Sequence, residues 1–260
     1  MQPPAPLMTV EEFLAENLLK RSDVMLSRHK KSLFSRLIMW STKSSWSHAA
    51  LVFVIPKLAS GFEHTFVIES VGQGVDITNL RYYLVDHAKE YDVAFKRIES
   101  DWFANDEEGK RIRKGVRGSM LNFIKAEYDM GKILHIARMI IRKFLFGLRA
   151  KFQGHGQAIE SLHAKDRLVP SQFICSGFVQ YGYYDAIERK VKADELPPER
   201  LKEVIFHPQF TPEMDSKKLL ATTPQDIATS DNLTWKYFIK GKMVYEVSSE
   251  EQVKALIKKK

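Results

Sequence analysis

The chain has 260 residues, of which 44% are hydrophobic and 11% aromatic, so it can bury a substantial core. Its single cysteine excludes an internal disulfide framework. The sequence has no signal-peptide pattern and no apolar run approaching the roughly 18 residues that span a bilayer, so we expect a cytoplasmic protein.

The net charge of +8 is concentrated in the middle of the chain. Residues 110–165 contain 13 Lys or Arg and only three acidic residues. A solvated helical face is the ordinary explanation, and a peripheral surface for anionic lipid or another polyanion is the alternative. Nucleic acid is a weaker candidate partner, because no recognition motif accompanies the charge.

The first third of the chain mixes short helices with strands. Thr9 and Glu12 have the spacing of a capping box, which predicts a helix over residues 10–20. A short strand is predicted at 23–27 and a short basic helix at 31–41. Apolar and β-branched residues predict further strands, the first of them buried on both faces, at 46–55, 65–71, 75–80 and 91–98.

The middle of the chain is predicted to be helical. Asn105 has the position of an N-cap for a helix over 106–126. Apolar residues at helical spacing from 133 to 148, with Arg and Lys between them, predict a basic amphipathic helix. A polar loop follows at 154–168.

Pro170 introduces the helix that carries Cys175. Beyond a loop-rich segment at 206–226, we expect a hairpin over 235–247 that turns near Gly241, and a short exposed helix at the end. The whole pattern predicts one α+β domain over residues 1–260, with a basic helical insertion at about 104–165.

Cys175 is either an inert core residue, as most lone buried cysteines are, or a nucleophile. Its position near the start of a helix favours the nucleophile, because unpaired N–H groups and the helix dipole stabilise a thiolate. Gly182 and Ala186 lie on the same helical face, so we expect this face to pack closely on the sheet.

A nucleophilic cysteine requires a base and a group that orients the base. Among eight histidines, His48 is distinguished by its place at the start of an apolar strand, and Glu69 is the lone acid in the next strand. Antiparallel pairing with Ala50 opposite Glu69 would make His48 and Glu69 diagonal neighbours on one face. A one-residue slip would separate them. The residues alone leave a Cys–His–Glu site and three separate structural roles as equal alternatives.

Several stretches, taken in order, resemble segments of the circularly permuted NlpC/P60-type papain-like hydrolases, the YiiX/YaeF-like group. In that group the histidine strand precedes the cysteine helix, as it does here. Ser22 stands in place of the family's glycine, and Gly177 stands where many relatives have Glu. The matching stretches are SDVMLS (22–27), WSHAALVF (46–53), VIESVGQGVDITNL (67–80), AEYDMGKI (126–133), FICSGFVQYGY (173–183) and TPQDIATSDNL (223–233).

The resemblance implies a permuted papain-like α+β fold, with an antiparallel sheet packed against the cysteine-bearing helix. It implies Cys175 as nucleophile, His48 as general base and then acid, and Glu69 as the orienting residue. Tyr128 and Ser176 lie in matching segments, where they would bind substrate or assist the oxyanion.

The predicted activity is cleavage of an amide bond in a peptide-like or acyl-bearing small substrate, through a thioester and without a metal or other cofactor. Two alternatives stay open. One is a lipid-directed thiol acyltransferase or lipase at an anionic membrane surface, and the other is a non-catalytic binding module of the same fold.

Overall fold

An eight-stranded antiparallel sheet organises the described part of the chain. The computed structural model describes residues 3–16, 18–54, 65–71, 74–104, 107–122, 175–211 and 216–258. The strands are Met8–Thr9 (β1), Val24–His29 (β2), His48–Val54 (β3), Phe66–Val71 (β4), Gly74–Asn79 (β5), Tyr91–Arg97 (β6), Thr234–Lys240 (β7) and Met243–Glu246 (β8). Their order across the sheet is β1-β8-β7-β6-β2-β3-β4-β5. The strands predicted from the sequence are present, with ends shifted by one or two residues.

Helices cover both faces of this sheet. They are Val10–Ala15 (α1), Leu33–Ser41 (α2), Asp101–Ala104 (α3), Glu107–Leu121 (α4), Cys175–Lys192 (α5), Arg200–Glu203 (α6), Pro224–Thr229 (α7) and Glu250–Lys258 (α8), with a π-helical turn at Tyr82–Asp86 and a 3-10 helix at Ser216–Ala221. The predicted amphipathic helix at 133–148, Tyr128 and Pro170 lie outside the described residues. No helix within the described ranges is long and apolar enough to cross a membrane.

Successive residues of the central strands point to opposite faces of the sheet and belong to two hydrophobic clusters. Leu26, Leu51 and Ile68 belong to the larger cluster, which also contains buried residues of α4 and α5. Met25 and Val52 belong to the smaller cluster, which contains the buried residues of α1 and of the π-helical turn. The central strands are therefore buried on both faces, as the sequence predicts for the strand at 46–55.

Helix α1 begins as predicted and ends early. Thr9 and Glu12 form the capping box, but the helix ends at Ala15 and not near residue 20. Beyond it, the carbonyl of Leu18 accepts a hydrogen bond from Arg97, and Asp23 accepts one from the backbone N–H of Lys20. These contacts require a turning backbone, which overrides the apolar periodicity that predicts a longer helix.

The small residues of α5 face a helix and not the sheet, so the sequence-based prediction of their role is wrong. A Cβ placed on Gly182 would lie 2.4 Å from the Cγ of Met120 in α4, and Ala186 is 3.9 Å from the corresponding position on Gly115. The helix does pack on β3 and β4, but α4 covers the side on which Gly182 and Ala186 lie. The helical spacing of Gly182 and Ala186 predicts a close contact on this face of α5, but it does not show that the partner is α4.

A buried polar contact ties α5 to the start of β2. The hydroxyl of Tyr183 donates to the carbonyl of Ser22, and both residues are buried. Ser22 has a φ of 70°, in the left-handed region that favours glycine. Ser22 therefore has a glycine-type backbone, which presents its carbonyl to the helix that carries Cys175.

The C-terminal helix α8 is amphipathic and is not simply exposed, as the sequence analysis expected. Val253 and Leu256 are buried and belong to the larger cluster. Their spacing of three residues places both on one helical face. The end of the described chain therefore contributes to the core.

Candidate active site

Cys175, His48 and Glu69 meet at one end of the sheet. Cys175 is the first described residue of α5, His48 is the first residue of β3, and Glu69 lies in β4. Ala50 pairs with Glu69, so the register expected from the sequence is confirmed. His48 Nε2 lies 2.5 Å from Glu69 Oε2, which is the diagonal contact that this register allows.

The imidazole of His48 links the carboxylate to the sulfur. Glu69 occupies Nε2, which leaves Nδ1 for the hydrogen bond between His48 and Cys175. Burial alone would lower the pKa of His48, but the thiolate of Cys175 and the carboxylate of Glu69 outweigh it and raise this pKa to about 10. The imidazole is therefore protonated at neutral pH.

The sulfur shows the complementary shift. Burial raises the pKa of the Cys175 thiol, but the His48 imidazolium and the backbone N–H groups of Ala49 and Ser176 lower it by more. The net direction is downward, so the pair favours thiolate and imidazolium. Cys175 as a whole is half-buried, whereas Glu69 is buried.

Two hydroxyl groups hold Glu69 in place. The hydroxyl of Tyr83 donates to Oε2 at 2.6 Å, and the hydroxyl of Thr78 donates to Oε1. Glu69 is 1% exposed, and although burial would raise its pKa, His48, Thr78 and Tyr83 together lower it. Burial and the nearby Glu69 carboxylate raise the pKa of Tyr83, so its hydroxyl stays protonated and donates.

The sequence analysis missed Thr78 and Tyr83. Thr78 had a usable signal. Glu69 pairs with Asp76, and Thr78 is two residues further along β5 on the same face. No sequence pattern indicated Tyr83, because it lies in a π-helical turn that hydrophobic periodicity does not predict.

The start of β3 is fixed by serine contacts. The hydroxyl of Ser35 in α2 donates to the hydroxyl of Ser47 at 2.7 Å, and both side chains are buried. The backbone N–H of Ser47 donates to the carbonyl of Ser27 in β2. The residue before His48 is thus held from two sides, which restricts where the imidazole ring can point.

Ser176 and Gly177 have structural roles that the sequence did not show. The buried hydroxyl of Ser176 donates to the carbonyl of Thr222 at 2.7 Å, so this residue faces the sulfur through its backbone N–H and not through its side chain. A Cβ on Gly177 would lie 2.2 Å from the carbonyl oxygen of Leu220. Glycine is therefore required here by the close approach of the 3-10 helix, and a Glu at this position would displace that backbone.

A metal site can be sought among the same kinds of side chain. Within the ranges that the structure describes, no group of three or more His, Cys, Asp and Glu side chains could hold a metal ion.

No protein-family model and no curated protein matches the chain. Among solved structures, the chain is similar to the metalloprotein YiiX from Escherichia coli O157:H7, a DUF1105 protein, with a TM-score of 0.46 and 16% sequence identity. The similarity covers 83% of this chain and 95% of YiiX. Circular permutation and the NlpC/P60 relationship stay predictions. A likeness this distant does not identify an activity, so the contacts of the site carry the functional conclusion.

Proposed function

We propose that the protein is a cysteine hydrolase that cleaves an amide bond through a thioester intermediate. The observation that carries the proposal is the chain of hydrogen bonds from Cys175 through His48 to Glu69. It joins a thiol with a lowered pKa to a protonated imidazole and a fixed carboxylate. Nucleophile, base and orienting group in this arrangement are the requirements of acyl transfer by cysteine.

In the first half of the reaction, the Cys175 thiolate attacks the substrate carbonyl carbon. The carbonyl oxygen becomes an oxyanion, and the backbone N–H of Cys175 at the start of α5 is the proposed donor to it. His48 then donates its proton to the leaving nitrogen, the C–N bond breaks, and the acyl group stays on sulfur as a thioester.

In the second half, His48 changes role. Acylation removes the negative charge of the sulfur, and that charge is the main contribution raising the pKa of His48. The neutral imidazole can then accept a proton from water, which attacks the thioester and releases the acid. Glu69 keeps the ring orientation in both steps, since its own position is fixed by Thr78 and Tyr83.

The test is to follow acyl transfer to Cys175 by intact-protein mass spectrometry with an activated acyl ester. The wild-type protein should form an adduct on Cys175 and lose it by hydrolysis, while Cys175→Ala should form none. His48→Ala should acylate slowly and retain any adduct that forms. Equal labelling of the wild type and Cys175→Ala, or no adduct in the wild type, would refute the proposal and leave a non-catalytic binding module.

A lipid-directed thiol acyltransferase or lipase is the second candidate. One observation favours it: α2, which is bonded to the residue before His48, exposes Leu33, Phe34 and Trp40. Comparing short peptide amides with phospholipid vesicles as acyl donors separates the two candidates. Acylation of Cys175 by the vesicles and not by the peptides would favour the lipid activity.

A further inference from the structure

Helix α2 presents its apolar residues to solvent. Ser35 faces the protein and is buried, whereas Leu33, Leu37 and Trp40 recur at the spacing of one helical face, roughly opposite Ser35. Leu33 is 80% exposed and Trp40 is 60% exposed. A helix that only packs on its own domain turns its apolar face inward. In α2, Leu33, Phe34 and Trp40 are exposed instead, while Leu37, Ile38 and Met39 are half-buried.

Positive charge surrounds this apolar face. Lys31, Arg36 and Lys43 are exposed on or beside the helix. The sequence contains no Asp or Glu from residue 24 to residue 62. Exposed Leu, Phe and Trp flanked by Lys and Arg are the features of a helix that lies in the interface of an anionic bilayer.

We propose that α2 docks the protein on an anionic lipid surface. Leu33, Phe34 and Trp40 would enter the boundary between head groups and acyl chains, and the neighbouring cations would lie near the lipid phosphates. This proposal concerns binding and does not depend on the reaction at Cys175.

The basic segment at 110–165 is the other candidate for contact with an anionic membrane. The apolar residues in its described part are placed differently from those of α2. In α4, the apolar residues Ile112, Val116 and Met120 are buried, while Lys110, Arg111 and Lys114 are exposed. This part can attract an anionic surface but has no comparable apolar face to insert. Helix α2 combines both contributions.

Ser35 in α2 is bonded to Ser47, which precedes His48 in the chain. Because the apolar face lies opposite Ser35, helix α2 itself would separate the lipid surface from the start of β3.

Vesicle co-sedimentation of the full chain tests the proposal. We expect binding to vesicles of phosphatidylcholine with phosphatidylglycerol, weak binding to phosphatidylcholine alone, and weaker binding at high salt. Leu33→Ser/Phe34→Ser should weaken binding to the anionic vesicles by about tenfold or more. The matched control, Leu7→Ser/Leu121→Ser, changes two apolar residues that are 45% and 38% exposed elsewhere and should bind like the wild type.

Tryptophan fluorescence adds a readout that does not depend on sedimentation. Of the four tryptophans, Trp46 and Trp235 are buried and Trp102 is half-buried, so Trp40 is the exposed one. Anionic vesicles should shift the emission to shorter wavelength, and Trp40→Phe should abolish most of the shift.

The charge-reversal variant Lys31→Glu/Arg36→Glu keeps the apolar residues and should also lose binding, so the test survives if the serine variant folds poorly. Wild-type protein that fails to bind anionic vesicles, or equal binding of the α2 and control variants, would overturn the proposal. So would a dimer, seen by light scattering, that Leu33→Ser/Phe34→Ser dissociates, because the face would then join two copies of the chain.

Discussion

Two buried charge clusters lie on neighbouring strands, and they differ in how completely they are closed. Asp23, just before β2, binds Arg97 through two hydrogen bonds of 2.7 Å, and their side chains are 1% and 10% exposed. At the start of β3, His48 is 19% exposed and contacts a half-buried Cys175. The first cluster is closed to solvent, whereas the second is partly exposed. That difference indicates function better than burial of charge alone.

The energetic settings of the two clusters differ in the same way. Arg97 also donates to the carbonyl of Leu18, so the Asp23–Arg97 pair is satisfied by the protein itself. In the proposed reaction, the charge of the Cys175–His48 pair is removed when the substrate reacts with the sulfur. We infer that the Asp23–Arg97 cluster stabilises the fold and that the Cys175–His48–Glu69 cluster serves the reaction. Substitutions in each cluster should separate the two roles.

The largest expected effect is loss of activity in His48→Ala. Removing the residue that ionises Cys175 should lower turnover by on the order of 10³-fold or more, because nucleophile and base act as a unit. Urea unfolding should show a much smaller change in stability than in activity. The control His87→Ala removes a half-exposed histidine that pairs with Glu90 and should retain full turnover.

Substitution in the Asp23–Arg97 cluster should instead lower stability. Arg97→Met leaves Asp23 buried and unpaired, which should lower the free energy of unfolding by about 3–5 kcal/mol. Lys236→Met breaks the more exposed pair with Glu99 and should cost about 0–1 kcal/mol. Similar unfolding midpoints for these two variants would contradict the structural role of the Asp23–Arg97 pair.

Tyr83→Phe should produce an intermediate effect on both properties. Loss of a hydrogen bond to the charged Glu69 should cost about 1.5–3 kcal/mol of stability and lower kcat, because the carboxylate holds His48 less firmly. A purely structural role would leave unchanged the pH at which activity rises on the acidic side, whereas a positioning role shifts it upward as the ion pair weakens. Tyr82→Phe, in the adjacent and 40% exposed tyrosine, is the matched control.

The smallest expected effect is a stabilisation by Ser22→Gly. Relief of the left-handed backbone at φ 70° should stabilise the fold by about 1 kcal/mol, partly offset by loss of the 3.3 Å hydrogen bond to the carbonyl of Arg113. Calorimetry should show a Tm increase of roughly 2–4 °C at most. Ser230→Gly, at a φ of −62°, should lower Tm, and a decrease for Ser22→Gly as well would refute the strain argument.

The sequence was sufficient to predict the contact between His48 and Glu69, because the strand pattern and the order of the strands lead to the same pairing. Two apolar strands joined by one connection set the pairing of Ala50 with Glu69, and the alternation of side chains then brings His48 to the carboxylate. It was insufficient where the partner is distant in the chain. Gly182 indicated a close approach, but only the fold shows that Met120 makes it. Tyr83 contacts Glu69 from a π-helical turn, and neither the helical nor the strand period of hydrophobic residues predicts such a turn.

The measurement that tests the central claim most directly is the rate of Cys175 alkylation by iodoacetamide as a function of pH, in the wild type and in His48→Ala. The thiolate fraction rises as pH increases through the lowered pKa of Cys175, so the wild type should already react at mildly acidic pH and change little up to neutral pH. A further change is expected near pH 10, where His48 loses its proton. His48→Ala should react appreciably only as pH approaches roughly 8.5, like a free thiol. Superimposable profiles, both rising only near that pH, would contradict the ion pair on which the proposed function depends.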